Sequence, residues 1–141
     1  MSCEIRFPDG TIVRGAALSD RDANADWRDR GLYLDARWAP TWPATVLAWP
    51  DLGLPVDNAT ADQAIRRAFE HARGGGNLEV GCAGGLGRTG TVLSCMAVLA
   101  GVSGAEAVRF VRRHYDGRAV EGSRQEGWVL DFVQRQHGEL W

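Results

Sequence analysis

The chain contains no lysine: all 16 of its basic residues are arginine. That excludes a lysine Schiff base, a lysine general base and a Walker-type phosphate clamp, each of which needs the primary amine. Cysteine is scarce as well. Cys3, Cys82 and Cys95 form no Cys-x-x-Cys pair, and His71, His114 and His137 stand at no metal-ligand spacing from them. Neither a disulfide framework nor a bound metal is expected, and the expected compartment is the reducing cytoplasm. No apolar run approaches the roughly 18 residues of a membrane span. The first ten residues lack the basic start and apolar stretch of a secretory signal. Neither sign of charge dominates, with a formal net charge of −2, which argues against a binder of nucleic-acid backbone.

What is present is the composition of one globular domain spanning 1–141, with 45% apolar and 24% charged residues. Six tryptophans are unusual for this length, and four of them lie between Trp27 and Trp49. Pro8-Asp9-Gly10 separates two short alternating segments, Glu4–Phe7 and Thr11–Gly15, and predicts an N-terminal β-hairpin. Leu32–Leu34, Thr45–Trp49 and Asn77–Gly81 are strand candidates, and Ser19–Arg30 is loop or short surface helix. Thr60 with Gln63, Ser103 with Glu106 and Ser123 with Glu126 have capping-box spacing. They predict helices running to about Arg73, Tyr115 and Gln136. A further apolar helix is expected over about Arg88–Ala100. Strands, then strand–helix alternation, then helices alone describe an α/β fold: a small, mostly parallel central sheet flanked by helices.

The segment from Gly81 to Thr91, Gly-Cys-Ala-Gly-Gly-Leu-Gly-Arg-Thr-Gly-Thr, lies between the last strand and that apolar helix. Glycine-rich backbone can curl so that successive N–H groups converge on an anion. A helix N-terminus adds its free N–H groups and dipole. At that focus Cys82 is favoured as thiolate, and Arg88 can grip two phosphate oxygens in a fork. The pattern is a nucleophile inside a phosphate cradle. Cys95, deep in the apolar helix, reads as core. Gly85-x-Gly87-x-x-Gly90 also fits a dinucleotide fingerprint, but that fold needs a further strand after the helix, and a second helix follows instead.

Trp49-Pro50-Asp51, 31 positions before Cys82, supplies the matching acid. A thiolate that displaces an alkoxide or phenolate from phosphorus needs a proton donor on the far side of the leaving oxygen. Asp51 sits on a short loop bounded by Pro50 and Pro55.

With both motifs present the chain resembles the cysteine-dependent protein tyrosine phosphatase superfamily. It is most similar to the compact dual-specificity branch, of the cyclin-dependent kinase inhibitor 3 type. The resemblance covers mainly residues 45–130. It implies a protein tyrosine phosphatase-like fold and hydrolysis of phosphotyrosine, with phosphoserine or phosphothreonine also possible substrates, through a cysteinyl-phosphate, without a cofactor. It makes Cys82 the nucleophile, with Ala83, Gly84, Gly85, Leu86, Gly87 and Arg88 binding the phosphate. It makes Asp51 the general acid and then base, Thr89 the support of the leaving thiolate, and Gln125 the residue that positions the hydrolytic water. At Gly81 the chain departs from the resemblance, since the family usually places a histidine there.

The uncharged loop interior favours a singly phosphorylated substrate, and Trp38, Trp42 and Trp49 are either core or walls for a phenyl ring. Arg109, Arg112 and Arg113 share a helix face that reads as solvated more readily than as a guide for acidic peptides. The expected partner is a phosphorylated protein or peptide, and the expected state a monomer. Two other functions fit less well: a phosphotyrosine-binding module with little turnover, and a phosphatase acting on a non-protein monoester.

Overall fold

The computed structural model describes residues 2–138. The hairpin forms where the turn residues direct it. Strand β1 (Ser2–Arg6) runs antiparallel to β2 (Ile12–Ala17). Gly10 takes φ +89, and the Asp9 carboxylate accepts from Thr11 N at 3.0 Å. Then come β3 (Arg30–Tyr33), β4 (Ala44–Val46), α1 (Asn58–Arg73) and β5 (Leu78–Cys82), followed by α2 (Gly87–Leu99), α3 (Gly104–His114) and α4 (Ser123–Gly138). The sheet order is β1-β2-β5-β3-β4, parallel in every pairing but the hairpin. This is the α/β architecture expected from the sequence, a mixed five-stranded sheet flanked by four helices.

Strand β5 is central and wholly buried, and its alternation assigns two different surfaces. Leu78, Val80 and Cys82 enter a large core with Ile65 and Phe69 of α1, Leu93 and Met96 of α2, Val111 of α3 and Phe132 of α4. Glu79 and Gly81 face the other way, where Ala16, Tyr33 and Trp38 form a smaller cluster to which α1–α4 contribute no buried residue. The buried Glu79 carboxylate is fully engaged there: it accepts from Tyr33 OH, Asn24 Nδ2 and Arg28 Nη1 at 2.7, 2.8 and 3.1 Å.

Three capping expectations need correction. Helix α1 starts at Asn58, not Thr60, because the extended Asp57 caps it, its carboxylate accepting from Thr60 N at 3.2 Å. Ser103 does precede α3, but its hydroxyl makes no cap bond, and Glu106 pairs with Arg109 instead. Ser123 is the first residue of α4 rather than its cap, with Glu126 N donating to the Gly122 carbonyl at 3.2 Å and the Glu126 carboxylate paired with Arg112. Strand β4 is shorter than expected: it ends at Val46, although Leu47 N still donates to the Tyr33 carbonyl at 2.8 Å. Among the described residues no helix is long and apolar enough to cross a membrane.

Candidate active site

Cys82 ends β5, and α2 begins five residues later. The intervening loop is fastened by its carbonyls. That of Cys82 accepts from Trp38 Nε1 at 3.1 Å, Ala83 from Leu18 N at 3.0 Å, and Gly85 from Tyr115 OH at 2.6 Å. That of Leu86 accepts from Gly90 N at 2.8 Å and Val120 N at 3.2 Å. In a trans peptide N–H and C=O point in opposite directions. The N–H groups of Ala83, Gly84, Leu86 and Gly87 are therefore turned away from these anchors. Gly85 N donates to Cys82 Sγ at 3.2 Å, so the sulfur lies on the concave, donor-rich side. Gly85 itself has φ +71 and passes so close to β2 that a Cβ would lie 2.8 Å from Ala16 C and Ala17 N. Burial, and then the nearby Cys82 and Cys3 sulfurs, push the Tyr115 phenol well above its usual range, which keeps it a donor.

The buried Arg88 is oriented before any ligand arrives. Its Nη1 donates to the carbonyls of Leu34 (2.7 Å) and Trp49 (2.8 Å), and its Nη2 to Asp35 Oδ2 (3.1 Å). A guanidinium has five N–H groups. These bonds leave Nε and one Nη2 hydrogen, and Nε is buried without a partner among the described residues. Asp51 Oδ1 stands 3.6 Å from Arg88 Nη2, with its side chain two-thirds exposed. The loop that carries Asp51 is pinned behind it. The Gly53 carbonyl accepts from Trp49 Nε1 at 2.9 Å and from Gln125 Nε2 at 3.2 Å.

The other sequence candidates fall around this centre. Thr89 is buried, and its hydroxyl has no partner among the described residues. Gln125, buried at the start of α4, also accepts from Glu121 N at 2.7 Å, which leaves one amide hydrogen uncommitted. Trp38 is a buried packing residue and Trp42 lies edge-on to Tyr33, so neither stands as an open wall, whereas Trp49, largely buried, is among the residues lining the cleft beside Asp51. Arg112 is not merely solvated: it donates to the carbonyls of Ala119 and Val120 at 2.8 and 3.0 Å.

The sequence pointed to neither Asp35 nor Tyr115, and to Trp38 only as core or as a wall for a phenyl ring. Asp35 follows β3, the parallel neighbour of β5, so it sits at the carboxyl end of the strand beside Cys82. That is where open parallel sheets place ligand sites. Hydrogen bonds, from Arg37 foremost and also from Arg88, hold its carboxyl well below the usual carboxylate range despite partial burial. Leu34, Asp35, Val46, Pro50, Val56 and Arg88 are among the residues lining a cleft of about 510 Å³ beside Asp51.

No family model matches the chain. An uncharacterized protein of Methanocaldococcus jannaschii is 32% identical over 116 residues, covering 74% of this chain and 76% of its own length. Among solved structures, the chain is similar to kinase associated phosphatase with serine in place of its catalytic-site cysteine. That match has TM-score 0.81 and 12% identity over 97% of this chain and 96% of that one. It is also similar to Tk-PTP in the active form, with TM-score 0.68 and 22% identity over 93% of this chain and 97% of that one.

Proposed function

The chain belongs to one family with the Methanocaldococcus jannaschii protein and has the fold of the cysteine-dependent protein tyrosine phosphatases, and on that footing we propose that it hydrolyses phosphate monoesters, phosphotyrosine foremost, through a cysteinyl-phosphate on Cys82. The observation that carries this reading is the loop from Cys82 to Arg88, with its carbonyls fastened outward and Gly85 N on the sulfur. Phosphate seated there meets the loop amides and the free edge of Arg88, donors fixed before the charge develops.

The Cys82 thiolate attacks phosphorus, the bond from phosphorus to the leaving oxygen breaks, and Asp51 gives that oxygen its proton. Water then attacks the cysteinyl-phosphate and passes a proton to Asp51. The S–P bond breaks, inorganic phosphate leaves, and the electron pair returns to sulfur. Thr89, whose hydroxyl is uncommitted, donates to the departing thiolate. In this reading the remaining Gln125 amide hydrogen holds the water, an assignment supported by the bond of the same amide to Gly53 of the Asp51 loop. The absence of charge from Ala83 to Gly87 supports a singly phosphorylated substrate, and the aliphatic Val46 and Val56 beside Asp51 support an aromatic or peptide one.

The test is turnover of p-nitrophenyl phosphate and phosphotyrosine peptides in the presence of a metal chelator, for wild type and Cys82→Ser. Activity in the first and none in the second is the expected result. Full activity in Cys82→Ser would overturn the mechanism. Peptide binding without turnover in wild type would establish a binding module instead.

A further inference from the structure

We propose that Trp38 is the positioning residue of the cradle, holding the Cys82 end of the loop from the place a side chain at position 81 would otherwise fill. The proposal rests on the reading of Cys82 as nucleophile and adds how its peptide is held. Three observations carry it. First, Trp38 Nε1 donates to the Cys82 carbonyl at 3.1 Å, in a fully buried setting. Second, Gly81 exposes bare backbone to the indole. A Cβ there would overlap Trp38 Cζ2 and lie 2.6 Å from Cε2 and 3.0 Å from Nε1. Glycine at 81 and tryptophan at 38 are thus two halves of one contact. Third, the indole cannot drift. It stacks on Tyr33 with ring centroids 4.4 Å apart and an interplanar angle of 17°, and Tyr33 OH is bonded to the buried Glu79.

The same short turn reaches the other end of the loop. Ala36–Trp38 is a 3-10 turn capped by Asp35, whose Oδ1 accepts from Arg37 N at 3.0 Å while its Oδ2 accepts from Arg88 Nη2 at 3.1 Å. The two ends of one four-residue turn, Asp35 and Trp38, therefore touch Arg88 and the peptide of the nucleophile respectively. Trp38 fixes the orientation of the 82–83 peptide, whose N–H lies opposite the held carbonyl and points to the anion side. Its effect falls on how well the cradle holds an anion, as well as on folding.

The experiment uses Trp38→Phe, Gly81→Ala, Trp38→Leu and the double variant Gly81→Ala/Trp38→Leu. Four quantities are measured well below each variant's melting temperature: kcat and KM for p-nitrophenyl phosphate, the inhibition constant of orthovanadate, and the rate of Cys82 alkylation by iodoacetate, located by mass spectrometry. Trp38→Phe keeps an aromatic plate and deletes the donor. It should lower kcat and weaken orthovanadate about tenfold, the size of one hydrogen bond, and slow alkylation. Gly81→Ala should do more damage, and Trp38→Leu should cost less in its presence than alone, because the smaller residue makes room for the methyl. Trp38→Phe with a lowered melting temperature but unchanged orthovanadate inhibition and alkylation would overturn the proposal. Strictly additive effects of the two substitutions would do the same. Alkylation requires no turnover, so a failure of the phosphatase reading, registered as activity in Cys82→Ser, is read separately.

Discussion

Asp35 Oδ2 accepts from Arg88 Nη2 at 3.1 Å, while Asp51 Oδ1 stands 3.6 Å from the same nitrogen on the solvent side. The two carboxylates divide the labour around one guanidinium. The inner one is nearly buried and fixes the orientation of Arg88, and the outer one is two-thirds exposed on the solvent side of the same nitrogen.

Asp35 makes stability depend on pH in a defined direction. Its folded pKa lies below the ordinary 3.8, through Arg37 first and Arg88 after it. A depressed carboxylate stabilises the native state above the unfolded pKa, and the contribution is lost as pH falls through the folded one. Asp35→Asn should therefore melt at lower temperature than wild type at pH 7, and the two should converge as the pH drops below about 3.8. Thermal melts between pH 7 and 2 check this. Curves that stay parallel would show that the carboxylate contributes nothing.

Arg88→Lys keeps the charge and loses the fork. An ammonium has three donors and no planar edge, so it cannot hold the Leu34 and Trp49 carbonyls and Asp35 while also gripping phosphate. The expected loss in kcat is about 10²–10³, comparable with removal of one preorganised oxyanion donor. Steady-state kinetics would settle it, and near wild-type turnover would make Arg88 a scaffold residue only.

Asp51→Asn should slow phosphotyrosine hydrolysis by about 10²–10⁴, the usual worth of a general acid. p-Nitrophenolate needs little protonation, so phosphoryl transfer from that ester should suffer less, and burst kinetics separate this step from hydrolysis of the intermediate. The exposed side chain makes little of the fold, so the melting temperature should hold. Asp57→Asn is the control. That carboxylate caps α1, and its replacement should leave turnover intact.

Two adjacent loop glycines should behave differently. Gly85 has φ +71, and an added Cβ would meet strand β2 backbone at 2.8 Å, whereas a Cβ at Gly84 would meet nothing within 4 Å. Gly85→Ala should cost at least about 2 kcal/mol of unfolding free energy, as strain at a left-handed position does. Gly84→Ala should be near neutral. Urea denaturation of the pair tests this directly.

Cys82, Arg88 and Asp51 were legible as candidates because their chemistry is written locally, in one glycine-rich loop and one tripeptide. The hairpin was legible for the same reason, since Pro8-Asp9-Gly10 sets its own turn. What could not be read was whatever depends on strand order. Asp35 and Trp38 matter only because β3 lies beside β5, and no residue within either strand announces that pairing. The start of α1 was misplaced because two cap candidates, Asp57 and Thr60, compete within three residues, and the carboxylate in extended backbone wins. Gly81 showed only as a missing side chain until the indole beside it was seen.

The Gly53 carbonyl, shared by Trp49 Nε1 and Gln125 Nε2, has a kinetic consequence. A loop anchored at both Trp49 and Gly53 has only its crest, Pro50 to Leu52, left to travel. Opening and closing then become a short stroke by three residues rather than the swing of a long lid, and reclosing should be fast beside bond-making at phosphorus. If the proposed phosphatase mechanism holds, chemistry rather than loop motion should then limit turnover, and solvent viscosity should barely touch it.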